Sequence, residues 1–378
     1  MNAVATEPVH ARLLPAIRRW IELETPSHDG HAVAALARLV ADEARRCGLQ
    51  AQLHEVSGST GPLLQLSNRR ADDERKGILV LAHLDTVHPV GTLARNPFRV
   101  EDDRVHGPGG YDMKAGAWVA FEALKAVGAG GVGRLPVDML FVPDEEVGSA
   151  ASRPLIERVA GRAACALVAE PARAGGRCVT ARKGIGTLRL RAHGCAAHAG
   201  LQHERGRSAI RELAHQVLAL EAMTDHARGV TVNVGRIEGG TAANVVPEQA
   251  SLLGEFRMPS QALAEDLSAR MRALRPCTPD VRLEVEAWIR RPPYERSPGA
   301  AALLQQAQRH AAAAGFALHE APMTGGGSDG NFTAALGIPT LDGLGVEGDG
   351  AHALHEHFLL SSVQPRLAFW TALLTELA

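Results

Sequence analysis

His83 and Asp85 stand two residues apart at the end of the apolar run ILVLAHLD (78–85), and Glu145 and Glu146 close a second run, VDMLFVPDEE (137–146). Glu170 ends a third, ACALVAEP (164–171), and Asp112 follows the glycine-rich loop HGPGG (106–110). Each has an ordinary explanation alone: a polar strand end, a solvated acidic turn or, for Asp112, an N-cap of the helix beginning at Met113. Together they place one imidazole and several carboxylates at the ends of successive strands. Acids converging in one crevice require cations, or they neutralise through raised pKa values. Imidazole and carboxylate ligands suit zinc, and the excess of carboxylates suggests two ions sharing a bridging group. Such a site activates water for attack on a carbonyl or phosphoryl centre. Adjacent glutamates can then differ in task, one ligating metal and the other taking the proton of the water. Asp85, at period two from His83, could hold one ring nitrogen and leave the other for metal.

The elements that position these groups follow from apolar spacing. Residues 11–24, 31–47 and about 114–128 read as helices, and the three apolar runs read as buried parallel strands. The alternation predicts an α/β fold with a mainly parallel sheet, which binds ligands beyond the carboxyl ends of its strands. Near residue 180 the pattern changes: 186–194, 230–240, 250–258 and 281–289 alternate apolar and polar residues, and 208–223 is amphipathic. That is an α+β module with a sheet wet on one face. The proline-bearing stretch 289–299 reads as a return linker, before a helix at 300–314 and the loop TGGGSDGN. The expected domains are 1–179 and 292–378 for the catalytic part, with 180–291 inserted as a dimerisation or lid domain. NRRADDERKG (68–77) reads as a solvated loop, and no internal repeat is present.

A chain of 378 residues exceeds one ordinary core, and 46% hydrophobic with 22% charged residues is a globular composition. A net charge of −2 supplies no phosphate-neutralising field, so small molecules rather than nucleic acid are the expected partners. The segment MNAVATEPVHARLLPAIRRW lacks an apolar leader core, and no stretch runs long enough without charge to span a membrane, which points to the cytoplasm. The five cysteines are scattered without a CxxC pair, arguing for packing residues over disulfides or a thiolate zinc site.

The motifs HLDTVHPVGTLARNPF (83–98), GPGGYDMKAG (107–116), PDEEVGS (143–149), AEP (169–171), HGCAAHAG (193–200) and PTLDGLGVEGDGAH (339–352) resemble a known family over nearly the whole chain, in family order. It is the co-catalytic zinc exopeptidase and deacylase family of aminoacylases, acetylornithine deacetylases, succinyl-diaminopimelate desuccinylases and glutamate carboxypeptidases. The Tyr-Asp-Met-Lys wording and the tail most resemble its carboxypeptidase G type.

The resemblance implies that His83 and Glu170 hold one zinc, that Glu146 and His352 hold the other, and that Asp112 bridges them. It makes Asp85 the orienter of His83, Glu145 the general base, and the Asp112–Met113 peptide cis. His352, four residues before Glu356, fits the spacing of the family ligand, leaving His355 and His357 as surface residues or substrate contacts. His198 matches a histidine that reaches the partner subunit's active site and stabilises the oxyanion, implying a homodimer through the inserted domain. Asn244 and Arg257 match residues that hold the oxyanion and the substrate carboxylate. Arg177 falls where the carboxypeptidase G type has a lysine near the substrate's side-chain carboxylate, and Gly326 lies in a loop lining the pocket.

The implied reaction is hydrolysis of an amide bond that releases a C-terminal amino acid, glutamate first, from an N-acyl or folate-like substrate. A deacetylase, an N-carbamoyl amino acid hydrolase or a dipeptidase of the same family is the alternative. Two readings from other classes remain. Gly326–Gly330 satisfies GxSxG, so Ser328 with the downstream His352 could form a serine hydrolase, although HEAPMTGG is a poor strand end for a nucleophile elbow. The fold could also serve a non-catalytic binding protein.

Overall fold

The computed structural model describes residues 9–58, 60–128 and 133–377, so the part of the leader reading that rests on residues 1–8 lies outside the described residues. The apolar runs form strands covered on both faces, as near-continuous hydrophobic sequence requires. In Gly77–His83, Ile78, Val80 and Ala82 enter one core, while Leu79 and Leu81 enter a second. Val137–Val142 divides the same way, with Met139 and Phe141 against Leu140 and Val142. The first core takes in helices Gly30–Arg46, Ala115–Val127 and Leu360–Glu376; the second takes in Arg153–Ala160.

Among the described residues the central sheet has six strands, in the order Gln50–His54, Leu63–Ser67, Val137–Val142, Gly77–His83, Ala163–Val168 and Thr340–Leu341. Gly77–His83 runs parallel to both of its neighbours, and Thr340–Leu341 runs parallel to Ala163–Val168. The two strands at the Gln50–His54 edge are antiparallel additions. The fold class is α/β with a mainly parallel sheet, as the sequence indicates.

The strands stop earlier than their apolar runs. Gly77–His83 ends before Asp85, Val137–Val142 before Glu145, and Ala163–Val168 before Glu170. Strands buried on both faces cannot host unpaired carboxylates, so the acids sit in the loops just beyond. The expectation that His83 and Asp85 share a strand is therefore corrected. The run 68–77 also departs from a purely solvated loop, because Arg69 is buried in an ion pair with Asp138 at 3.1 Å.

A small antiparallel sheet brings two distant loops together. Arg104–His106 pairs with His357–Leu359 so that His106 lies opposite His357, and Gly348–Asp349 pairs with the other side of His357–Leu359. The loop to Asp112 leaves one strand where the loop carrying His352 enters its partner.

The chain divides into two compact units. The larger comprises the described residues through Thr180, Arg296–Pro322 and those from Ser328 onward; the smaller comprises Ala181–Glu295 and Met323–Gly327. The return to the larger unit thus falls at Arg296, four residues later than the sequence suggests, because Tyr294 and Arg182 exchange two backbone hydrogen bonds of 2.9 and 3.0 Å. Met323–Gly327 joins the smaller unit, where the Lys183 amide donates to the Thr324 carbonyl at 2.9 Å. The smaller unit has a four-stranded antiparallel sheet, in the order Thr231–Gly239, Gln249–Met258, Gly184–His193, Arg282–Arg291. Helices Ala209–Glu221 and Gln261–Arg272 cover one face, while the other carries exposed ion pairs such as Arg189–Glu286 at 3.4 Å.

Among the described residues no helix is long and apolar enough to cross a membrane. All five cysteines are free. Cys165 and Cys178 pack in the core, whereas Cys47, Cys195 and Cys277 are exposed and are not packing residues.

Candidate active site

The five ligand candidates meet in the larger unit. His83 Nε2 lies 3.3 Å from Asp112 Oδ1 and 3.9 Å from Glu170 Oε1. His352 Nε2 lies 3.5 Å from Asp112 Oδ2 and 3.2 Å from Glu146 Oε2. The two oxygens of Asp112 thus face different histidines, each within its own imidazole–carboxylate triad. Ligand atoms around one tetrahedral ion with bonds of about 2 Å lie roughly 3.3 Å apart, close to the spacing found here. Glu146 Oε1 is buried and has no hydrogen-bond partner, a costly arrangement for a carboxylate unless a cation is its intended neighbour. The donor set and its spacing fit metal.

Local structure explains the aim of each group. The Asp112–Met113 peptide is cis, and Asp112 has φ −112° and ψ 93°, so it caps no helix; Lys114 occupies that position ahead of Ala115–Val127. Gly116 lets this helix pack closely, since a Cβ there would stand 2.4 Å from the Ala169 carbonyl oxygen, directly before Glu170. His352 takes a left-handed conformation with φ 66° in its turn.

Asp85 acts differently from expectation. His83 Nδ1 pairs with the backbone carbonyl of Asp85 at 2.9 Å, while the carboxylate stands farther off at 3.6 Å. That carboxylate instead accepts the Ser27 hydroxyl at 2.6 Å and the amides of Glu145 and Glu146 at 3.1 and 3.2 Å. It fixes the turn that separates the two glutamates. Glu146 faces His352, whereas Glu145 belongs to neither triad and lies near enough to act on the charge of His83.

Burial disfavours the His83 imidazolium, but the Asp112 hydrogen bond and the charges of Asp85, Glu170 and Glu145 outweigh it and lift its pKa well above the usual range. Burial pushes the Asp85 carboxyl up to about 6. Burial works the same way on Asp112, yet hydrogen bonds to His352 and His83 hold it well below the carboxylate range. Hydrogen bonds to Asp112 and Glu146 raise His352 to about 10. In the metal-free chain this contribution to stability is complete below the ordinary histidine value of 6.5 and is lost as pH rises through about 10. A metal must displace these protons, so uptake at neutral pH will release protons and weaken as pH falls. Calorimetry in buffers of differing protonation enthalpy checks this; uptake without proton release would refute it.

The remaining candidates belong to neither triad. His198 is exposed in the smaller unit, in the two-residue strand Ala197–His198 paired with Val245–Val246. Its Nδ1 accepts the Gly200 and Leu201 amides at 3.1 and 3.2 Å, which leaves the ring proton on Nε2 as an outward donor. Asn244 is exposed beside it, and its carbonyl accepts the Ala199 amide at 2.9 Å. Arg257 pairs with Glu255 at 2.6 Å and donates to the Gly325 carbonyl at 2.5 Å, while Arg290 holds the other Glu255 oxygen at 3.1 Å. The Gly326 carbonyl accepts from the buried Arg182 guanidinium at 3.1 Å. Arg177 is exposed on a hairpin with Arg173, and among the described residues its guanidinium makes no hydrogen bond or ion pair. His355 is exposed, and His357 packs its ring on that of His106 with centroids 5.3 Å apart.

Ser328 is not a nucleophile. It is fully buried, donates to the Asp342 carboxylate, accepts the Gly330 amide at 3.0 Å, and has no strand before it, while His352 is engaged with Asp112 and Glu146. Sequence reasoning missed Ser27 and His88 as site supports. Glu356 entered it only as a spacing marker for His352, whereas the structure has it accept the amides of Gly109, Tyr111 and Asp112.

Two imidazole–carboxylate triads with one carboxylate in common are equipped for metal-assisted hydrolysis. The chain belongs to peptidase family M20/M25/M40, whose profile matches residues 79–376. Its class is therefore that of a metal-dependent peptidase or amidohydrolase, and the family resemblance carried by the motifs is borne out. Carboxypeptidase G2 of Pseudomonas sp. (strain RS-16) is 30% identical over 370 residues, covering 95% of this chain and 88% of that protein. A tripeptidase structure from Staphylococcus aureus matches with a TM-score of 0.76 and 19% identity, over 97% of this chain and 97% of that one. An M20 family metallo-carboxypeptidase from Sulfolobus solfataricus matches with a TM-score of 0.72 and 18% identity, over 96% of this chain and 98% of that one. These two structural likenesses show the fold.

Proposed function

We propose that the chain hydrolyses the amide bond joining an N-acyl or folate-like group to a C-terminal amino acid, with glutamate preferred, using two zinc ions per subunit. The single observation that carries the hydrolytic reading is the division at Asp112, whose two oxygens face His83 and His352 separately while Glu145 stays outside both triads. The glutamate preference is supported by similarity to carboxypeptidase G2. Held by His83, Glu170 and Asp112 and by Glu146, His352 and Asp112, the ions would supply Lewis acidity and make water nucleophilic at neutral pH.

The protein's own groups do the rest. Glu145 takes the proton of the attacking water and passes it to the leaving amine. Asp85 keeps Glu145 and Glu146 in their separate tasks by holding both backbone amides. Arg257 anchors the free carboxylate of the substrate; Glu255 can release it and still keep Arg290 as its counter-charge. Asn244 and the Nε2 proton of His198 serve the oxyanion, His198 coming from the partner subunit of a homodimer formed through the smaller unit. Arg177 and the Gly326 backbone face the substrate side chain in this reading. A cytoplasmic location belongs to it too, supported by the free cysteines.

The test is a hydrolysis panel on zinc-reconstituted protein, comparing folate-type and other acyl-glutamates with N-acetyl amino acids and dipeptides. Acyl-glutamates are expected to be cleaved fastest. Rapid cleavage of acetyl amino acids or dipeptides with acyl-glutamates untouched would overturn the substrate assignment and favour a deacylase or dipeptidase.

A further inference from the structure

The loop from Gly107 to Asp112 carries the carboxylate shared by both triads, yet it is not held by a regular ladder of its own. Gly109 is left-handed with φ 67°, and a Cβ there would stand 2.3 Å from Thr86 Cγ2, so the backbone is pressed tightly into place. The buried amides of such a loop need acceptors. They find one in Glu356. Its Oε1 accepts the Tyr111 and Asp112 amides, both at 3.0 Å, and its Oε2 accepts the Gly109 amide at 2.9 Å and His88 Nε2–H at 2.5 Å. Glu356 is fully buried, and the residues it gathers are 244 to 268 positions away in sequence.

We infer that Glu356, braced by His88, is a positioning residue that sets the aim of Asp112 between the two triads; the inference rests on the metal-dependent reading above. Glu356 is fully buried and acts through the Asp112 loop it holds. It shares a turn with His352, closed by the Ala353 amide on the Gly350 carbonyl at 2.9 Å and by the Glu356 amide on the Ala353 carbonyl at 3.1 Å. One rigid turn therefore delivers a ligand of one triad and the clamp on the carboxylate common to both. A displacement of this turn moves His352 and Asp112 together, so the spacing of the triads is preserved as a unit. Four donors converging on two oxygens also leave Glu356 no freedom to ligate metal itself.

Glu356→Gln keeps the size of the side chain but turns one acceptor into a donor, which must face either the Gly109 amide and His88 or the Tyr111 and Asp112 amides. The experiment is a zinc titration of metal-free protein against a competing chelator, without substrate, on wild type and Glu356→Gln. It is joined by the visible spectrum of the cobalt-substituted proteins and by the unfolding midpoint of the metal-free forms. Zinc affinity is expected to fall about 10- to 100-fold, as for loss of other groups that orient metal ligands. The cobalt spectrum should shift, and with a cleavable substrate kcat should fall with KM unchanged. A lower unfolding midpoint with wild-type zinc affinity and spectrum would show a merely structural role and overturn the inference. If Glu356→Gln does not fold, Glu356→Asp, which keeps the charge and withdraws it by one methylene, is read in the same way. Failure of the wild-type chain to take up zinc would overturn the metal reading itself, an outcome distinct from uptake that Glu356 does not influence.

Discussion

Glu145→Gln will lower turnover by about 10²- to 10⁴-fold while leaving the metal content of the protein intact. The amide matches the carboxylate in size, and the Glu145 backbone amide remains bonded to Asp85 at 3.1 Å, so the turn and its neighbour Glu146 keep their places. Neither triad contains Glu145, so neither loses a ligand. What disappears is the only function assigned to this carboxylate, accepting a proton. General-base catalysis contributes about 10²- to 10⁴-fold, and kcat should fall by that order. Glu146→Gln is the contrasting variant, because it removes a ligand from the His352 triad and should lower metal content as well as rate. Steady-state kinetics and elemental analysis on the same preparations decide the matter. Substantial residual hydrolysis by Glu145→Gln, or metal loss equal to that of Glu146→Gln, would refute the division of labour.

Asp112→Asn should be the more drastic change for the metals. Each triad takes one oxygen of this carboxylate, so a single substitution weakens both. The amide carries no charge and offers one acceptor in place of two, leaving one histidine opposite an N–H. Affinity is expected to fall by more than about 10²-fold at each position, beyond the usual cost of losing a group that only orients a ligand. Activity should go with it. The histidines report independently: His352 owes its rise to about 10 first to the Asp112 hydrogen bond, so its pKa should drop toward the ordinary range in the metal-free variant. Nuclear magnetic resonance titration of the imidazoles measures that shift. Retention of two ions per chain in Asp112→Asn would exclude Asp112 as the shared ligand.

The larger-unit sheet was legible because its strands are short apolar runs whose alternate residues supply two cores, a pattern contained in each segment. The smaller unit was legible for a similar reason, since one-sided burial leaves a period-two signature. The added edge strands Gln50–His54 and Leu63–Ser67 were not, because the first is only partly buried and neither ends in chemistry that draws attention. The ion pair of Arg69 with Asp138 escaped notice because its two members lie 69 residues apart, and nothing in the run 68–77 singles out one buried arginine among exposed ones.

Within the site, the sequence by itself determined which side chains could meet: His83, Asp112, Glu145, Glu146 and Glu170 each follow an apolar run or a glycine-rich loop, and His352 follows the family motif. Tertiary structure alone decided how they are used. It turned the Asp85 carboxylate from the ring of His83 to the amides of Glu145 and Glu146, and it set the Ser328 hydroxyl on the Asp342 carboxylate. It also joined Glu356 to His88 and to the Asp112 loop. The physical reason is one of range. Apolar periodicity is a property of neighbours in the chain, whereas a buried carboxylate takes whichever donors folding leaves within about 3 Å, and those come from loops whose meeting is set by the packing of the whole sheet.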